Sequence, residues 1–165
     1  DTETGLAALE AFEPLAGRGA EHQVLGPAGD FTLIDESYNA NPISMAATIQ
    51  SLGTRKTSGR RLVVLTDMLE LGEAGASYHA DLAPLLEAAG IDQVYCAGPL
   101  MKFLWEALPS TRRGSYAEQA ADLAPQVARA LEPGDLVMVK GSNGSRAGVV
   151  VAALLALAPG SGGRV

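Results

Sequence analysis

Arg61-Leu62-Val63-Val64-Leu65-Thr66-Asp67 is the stretch that decides the fold. Four consecutive apolar residues, two of them β-branched, leave no polar face, so a strand here is buried on both sides. Such strands belong to parallel sheets, whose crossover helices cover both faces. Working outward, residues 31–36 (Phe-Thr-Leu-Ile-Asp-Glu), 92–96 and 135–140 (Asp-Leu-Val-Met-Val-Lys) read as further strands. Between them lie helical patterns at 43–54, 76–90, 99–107, 117–131 and 146–157, with Met45, Ile49 and Leu52 sharing one helix face and Gly90 closing the second pattern. Alternating strands and helices predict an α/β fold: a doubly wound, mostly parallel open sheet of Rossmann-like type. Ligands of such sheets sit beyond the carboxyl ends of the strands. Polar sequence follows Ile34, Leu65 and Val139, and those three places are therefore where chemistry is expected.

The ends of the chain differ from its middle. Residues 3–15 have a helical pattern, followed by Gly17-Arg18-Gly19 and a hairpin turn at Gly26-Pro27-Ala28-Gly29. Residues 1–17 read as the tail of a preceding domain with its linker, 18–158 as one domain, and 159–165, rich in Gly and Ser, as a flexible end. The opening Asp1-Thr2-Glu3 has no initiator Met and no signal-peptide character, which suggests a piece of a longer protein. There are no internal repeats.

A chain of 165 residues suits one such domain, and its 47% hydrophobic and 5% aromatic content predicts an aliphatic core. The formal net charge of −7 argues against nucleic acid or anionic membrane as a general partner, while leaving room for a local phosphate pocket. Cys96 is the single cysteine and lies in an apolar run, so it reads as a buried core thiol in a reducing, cytoplasmic compartment. With two histidines beside it, no metal site is expected. The apolar run 147–158 is a dozen residues long, too short to span a membrane, and reads as a buried helix.

Three polar stretches carry the candidate chemistry. Asp35-Glu36-Ser37-Tyr38-Asn39-Ala40-Asn41-Pro42 leaves one strand with two carboxylates, a phenol and two carboxamides, groups that suit the edges of a base or ribose. Asn41-Pro42 by itself is simply a capped helix start. Thr66-Asp67-Met68-Leu69-Glu70-Leu71-Gly72-Glu73 leaves the second; Asp67 suits an ammonium or a basic partner, and the plain alternative is a solvated loop. Lys140-Gly141-Ser142-Asn143-Gly144-Ser145-Arg146 precedes the last helix with glycines and cations that favour anions. It is not a P-loop, because the lysine comes before the glycines, and no GxGxxG is present. His79 reads as a packed or capping helical residue, and His22 has no companions.

Together these stretches resemble one family. Asp35 to Met45, preceded by Gly17-Arg18 and followed by Asp67-Met68-x-Glu70-Leu71-Gly72 with His79 and then Lys140-Gly141-Ser142 with Arg146, are similar in order and spacing to the Mur ligases that join D-alanyl-D-alanine to UDP-N-acetylmuramoyl-tripeptide. The resemblance covers about residues 5 to 157. It implies the C-terminal domain of a three-domain, ATP-dependent bacterial cytoplasmic enzyme in peptidoglycan precursor synthesis, with a mixed sheet of about six strands. The triphosphate loop, the residues that hold Mg2+ and a carbamylated lysine would lie in the central domain, so this chain alone is expected to be inactive. Its partners would be the enzyme's own central and N-terminal domains and the two substrates.

Carried over by position, the resemblance makes Arg18 the catalytic contact to the ATP phosphates. It has Asp35 or Glu36, Tyr38, Asn39 and Asn41 lining the nucleotide. Asp67, Glu70, Lys140, Ser142, Asn143, Ser145 and Arg146 would face the amino-acid substrates. Thr66 departs from the family's usual Gly, and since Thr resists positive φ the conformation of that loop is open to question. A related Mur ligase, a folylpolyglutamate synthetase, or a free-standing Rossmann-like module are the alternatives. The Tyr38-to-Pro42 motif argues against the first two and the missing GxGxxG against the third.

Overall fold

The computed structural model describes residues 16–159. The helical pattern at 3–15 and the end beyond 159 lie outside them. Six strands form one sheet: β1 (Ala20–Gly26), β2 (Gly29–Glu36), β3 (Arg61–Thr66), β4 (Gln93–Ala97), β5 (Arg113–Ala117) and β6 (Leu136–Lys140). Their spatial order is β1-β2-β6-β3-β4-β5, parallel throughout except for the β1–β2 hairpin. This is the doubly wound, mostly parallel α/β sheet that the apolar runs predict.

Residue alternation along each strand divides the core in two. On one face Leu33, Leu62, Val64, Tyr95, Val137 and Val139 pack under α5 (Ala120–Ala130) and α6 (Ala147–Leu155). On the other, Val63, Leu65, Val94, Cys96 and Met138 pack under α1 (Pro42–Thr54), α3 (Leu82–Ala88) and α4 (Met101–Ala107). Val63, Val64 and Leu65 have no accessible surface, and each such side chain contributes roughly 1.5–3 kcal/mol by leaving water. Cys96 is likewise fully buried, and burial pushes its thiol well above the ordinary range, so it is inert. No helix among the described residues is long and apolar enough to cross a membrane.

The structure departs from the sequence reading in two places. The single helix expected at 76–90 is two, α2 (Gly75–Ala80) and α3, meeting at Asp81. Pro84 stands in the first turn of α3, where it has no N–H for the carbonyl of Ala80 and its ring would crowd that carbonyl. β5 was not expected, and the helix that was to begin at 117 starts at Ala120. The hairpin expected at Gly26–Gly29 is present, joining the seven-residue β1 to β2.

Candidate functional site

β2, β6 and β3 are adjacent and parallel, so the three polar stretches that leave them emerge along one rim. From β2 and β3 the chain turns onto the face carrying α1 and α3, and from β6 onto the face carrying α6. The exit of β6 therefore separates two crevices, the place where open α/β sheets take ligands.

The first crevice, about 390 Å3, is lined by Arg18, Glu36, Tyr38, Asn39, Asn41 and Lys140. Asp35 is buried and builds it from beneath: one carboxylate oxygen accepts the Gly17 N–H (2.9 Å), the other accepts the N–H and hydroxyl of Ser37. The Gly17 carbonyl in turn accepts the Tyr38 N–H at 2.9 Å. Gly17 has φ +81 and lies so close to Tyr38 that a Cβ would stand 2.9 Å from the Tyr38 backbone nitrogen, so only glycine fits. This clasp sets the Arg18 guanidinium 4.0 Å above the Tyr38 ring centre, a cation–π contact on an exposed surface. Lys140 is 2% exposed; its ammonium donates to the Asn39 carbonyl at 3.0 Å and stands 3.7 Å from Glu36. Burial draws the Lys140 pKa below the ordinary lysine value, with Glu36 opposing. Asn41 caps α1, accepting the Ser44 N–H at 2.8 Å while the Ser44 hydroxyl accepts the Asn41 N–H, with Pro42 at the first helical position. The side-chain amide oxygen (Oδ1) of Asn39 accepts the Ala40 N–H.

The second crevice, about 530 Å3, is lined by Asp67, Leu69, Gly98, Glu118, Gln119 and Arg146 among others. Asp67 is buried, and its oxygens accept the N–H groups of Leu100 (3.2 Å) and Met101 (2.9 Å) at the start of α4. Burial raises its pKa against the pull of those amides. His79 has no accessible surface; its Nε2 accepts the Met68 N–H (3.0 Å) and its Nδ1 stands 2.6 Å from the Gly75 carbonyl, which fixes the neutral tautomer. It is packed, as expected of a lone helical histidine, and it also holds the loop after β3. Ser142 is buried and ties the tips together, its hydroxyl accepting from Leu69 N–H and donating to the Ala40 carbonyl. Thr66 ends β3 in extended backbone, and among the described non-glycine residues positive φ occurs at Glu70 and Arg146 (both 63°), so the doubt about Thr66 falls away. Glu70, Asn143 and Arg146 are exposed, and Ser145 is half-buried. Neither Arg18 nor Arg146 has an ion-pair partner among the described residues.

Two groupings differ from expectation. Lys140 faces the Tyr38 crevice rather than sharing the other with Arg146. Asp35 and Asp67 hold backbone amides and line or underpin the site rather than presenting free oxygens. The sequence reading missed Glu118 and Gln119, which stand at the end of β5; with that strand unread, nothing marked them. No group of three His, Cys, Asp or Glu side chains suited to a metal occurs among the described residues.

Comparison with known proteins agrees with this fold. The family described as Mur ligase, glutamate ligase domain matches residues 22–143. A curated relative from Bacillus subtilis, UDP-N-acetylmuramoyl-tripeptide--D-alanyl-D-alanine ligase, is 30% identical over 92% of this chain and 34% of its own length. The protein of the same name from Mycobacterium tuberculosis is 30% identical over 91% of this chain and 33% of its own. Among solved structures, MurF from Acinetobacter baumannii superposes with a TM-score of 0.77 at 26% identity, over 93% of this chain and 33% of that one. The chain thus spans about a third of the length of the relatives it matches. A MurF ligase from Thermotoga maritima in complex with ADP shares the fold, with a TM-score of 0.72 at 22% identity over 88% of this chain and 32% of its own. The family match at residues 22–143 takes in five of the six strands whole and most of β1, and the chain therefore belongs to the Mur ligase family, as its glutamate ligase domain.

Proposed function

We propose that residues 18–158 are the C-terminal lobe of a bacterial cytoplasmic ligase that joins D-alanyl-D-alanine to UDP-N-acetylmuramoyl-tripeptide with ATP. The observation that carries this reading is the single rim on which two guanidiniums without an ion-pair partner among the described residues, Arg18 and Arg146, open into separate crevices. The names of the relatives supply the substrates. ATP phosphorylates the tripeptide carboxylate and leaves as ADP. The amine of the dipeptide then attacks the carbonyl carbon, forming the C–N bond as phosphate leaves and the amine loses a proton. Such chemistry rests on positioning and charge neutralisation, in a site closed to water.

In this reading the first crevice takes the nucleotide. Arg18 meets phosphate charge when the lobe closes, Tyr38 lies beside the adenosine, and Glu36 and the free amide ends of Asn39 and Asn41 serve its polar edge. Asp35 is the positioning residue beneath them. The second crevice takes the amino substrate: Arg146 meets its carboxylate, with Glu70 and Asn143 around it and Asp67, Ser142 and Ser145 fixing the loops. Lys140 braces the wall between the two. Mg2+ and the triphosphate cradle belong to the central domain, which joins near residue 17. A mobile lobe both clasps ATP and delivers the second substrate.

Phosphate release by the full-length protein tests the reading. It should require ATP, the UDP-linked tripeptide and D-alanyl-D-alanine together, and release that is indifferent to the dipeptide would refute it. Isothermal calorimetry on this chain alone should show no micromolar ATP binding, since the cradle is absent.

A further inference from the structure

We propose that Thr66 is the positioning residue of the Arg146 guanidinium, acting through a directed chain of hydroxyls; this rests on the reading that Arg146 meets the carboxylate of the incoming dipeptide. Thr66 closes β3 with no accessible surface, and a hydroxyl there needs a partner. Its Oγ1 stands 2.7 Å from the Ser145 Oγ. Ser145 has one hydroxyl proton, and it donates that proton to the Ser142 carbonyl at 2.7 Å. Thr66 is therefore the donor, and the chain runs from Thr66 to Ser145 to the Ser142 carbonyl, which also takes the Ser145 N–H at 2.9 Å.

The turn so fixed is anchored on both sides. The Ser142 N–H donates to the Asp67 carbonyl at 3.2 Å, and its hydroxyl joins Leu69 and Ala40. Gly141 makes room: a Cβ there would stand 1.7 Å from the Thr66 Oγ1, so the threonine fills the gap between the tips of β3 and β6. Arg146 follows at φ 63°, ψ 34°, a left-handed conformation that an arginine holds only where its surroundings fix it. No side-chain bond of its own holds Arg146 among the described residues, so the direction of its guanidinium into the crevice is set by the turn before it.

The test uses the full-length ligase with ATP and UDP-linked tripeptide saturating and D-alanyl-D-alanine varied. Thr66→Val keeps the volume and removes the donor; Thr66→Ser keeps the donor and removes the methyl. Loss of one buried hydrogen bond should raise the KM for the dipeptide roughly three- to ten-fold in Thr66→Val, with kcat and the KM for ATP moving less than about two-fold, while Thr66→Ser stays near wild type. Ser145→Ala, which leaves β3 untouched, should match Thr66→Val and decides the matter if that variant does not fold. Arg146→Ala should raise the same KM about ten-fold or more, and Thr66→Val should add nothing to it. If Arg146→Ala raises the KM but Thr66→Val and Ser145→Ala do not, the positioning role is overturned and the substrate reading stands. A Thr66→Ser variant as impaired as Thr66→Val assigns Thr66 to packing and also overturns the proposal. An unchanged KM in Arg146→Ala removes the substrate reading and the positioning role with it.

Discussion

At the amino ends of the strands, Arg60 grips Asp135 with two hydrogen bonds (2.7 and 3.1 Å) and reaches the Ala130 carbonyl. At the carboxyl ends, Arg18 and Arg146 have no ion-pair partner among the described residues, and the buried Asp35 and Asp67 accept from backbone amides and one serine hydroxyl. The same residue types serve opposite purposes. One end neutralises its charges to staple the fold; the other satisfies its carboxylates internally so that its guanidiniums stay available. The wider hollow, about 650 Å3, lies at the stapled end, between Gly29, Lys56 and Gly134. Size therefore does not choose the site here, whereas the convergence of three strand tips does.

The contrast predicts two separate failures. Arg18→Ala in the full-length enzyme should lower kcat about 100-fold or more, as loss of a donor to developing charge does, with thermal unfolding unchanged. A kcat within a few-fold of wild type would put Arg18 on the stapling side of the comparison. Asp135→Ala should do the reverse. It strands Arg60 and the Glu132 N–H, so it should cost this chain about 2–3 kcal/mol in urea unfolding, with Arg60 solvated enough to keep the loss at the low end. An unchanged urea midpoint would show that the pair is ornamental. The smaller Asn41→Ala change tests a rim residue that also has a structural role. Losing the capping box should cost about 1 kcal/mol of stability while leaving the Pro42 start of α1 in place. Equal stability with weaker ATP dependence would show the carboxamide acting on nucleotide alone.

How much of this was legible in sequence follows from what each residue answers to. Strands β3, β4 and β6 announce themselves because burial on both faces demands continuous apolar residues, and β2 by alternation, with Phe31, Leu33 and Asp35 buried and the residues between them half-buried. β5 does not. Arg113-Gly114-Ser115-Tyr116-Ala117 is a half-buried edge strand, and its glycine is there because a Cβ would strike the Tyr95 ring at 2.6 Å, a reason that exists only after folding. Glu118 and Gln119 were lost with it. The motifs at the strand tips were readable as polar groups crowding where ligands bind. Which of them point inward was not, because Asp35, Asp67 and Lys140 look in sequence like Glu36, Glu70 and Arg146. Only the tertiary arrangement of amides and carbonyls separates those that hold loops from those that face solvent.

The finest test of the contrast is the pH dependence of Lys140. Burial lowers its pKa from 10.5 and Glu36 opposes the shift, so the folded chain releases this proton at lower pH than the unfolded chain does. Below the folded value both states are protonated, and the full cost of burying the ammonium bears on the fold. Between the folded value and 10.5 the unfolded state binds more protons, so this residue's contribution to stability rises with pH. Lys140→Met keeps the length of the side chain without the charge. The stability of wild type relative to Lys140→Met, from urea midpoints at fixed ionic strength, should therefore climb as pH goes from 7 toward 10.5. Tyr95, whose pKa burial raises, titrates in both proteins and cancels in the difference. A difference that stays flat or falls would mean that Glu36 neutralises Lys140 as fully as Asp135 neutralises Arg60. The carboxyl rim would then be stapled like the amino end, and the contrast between the two would be lost.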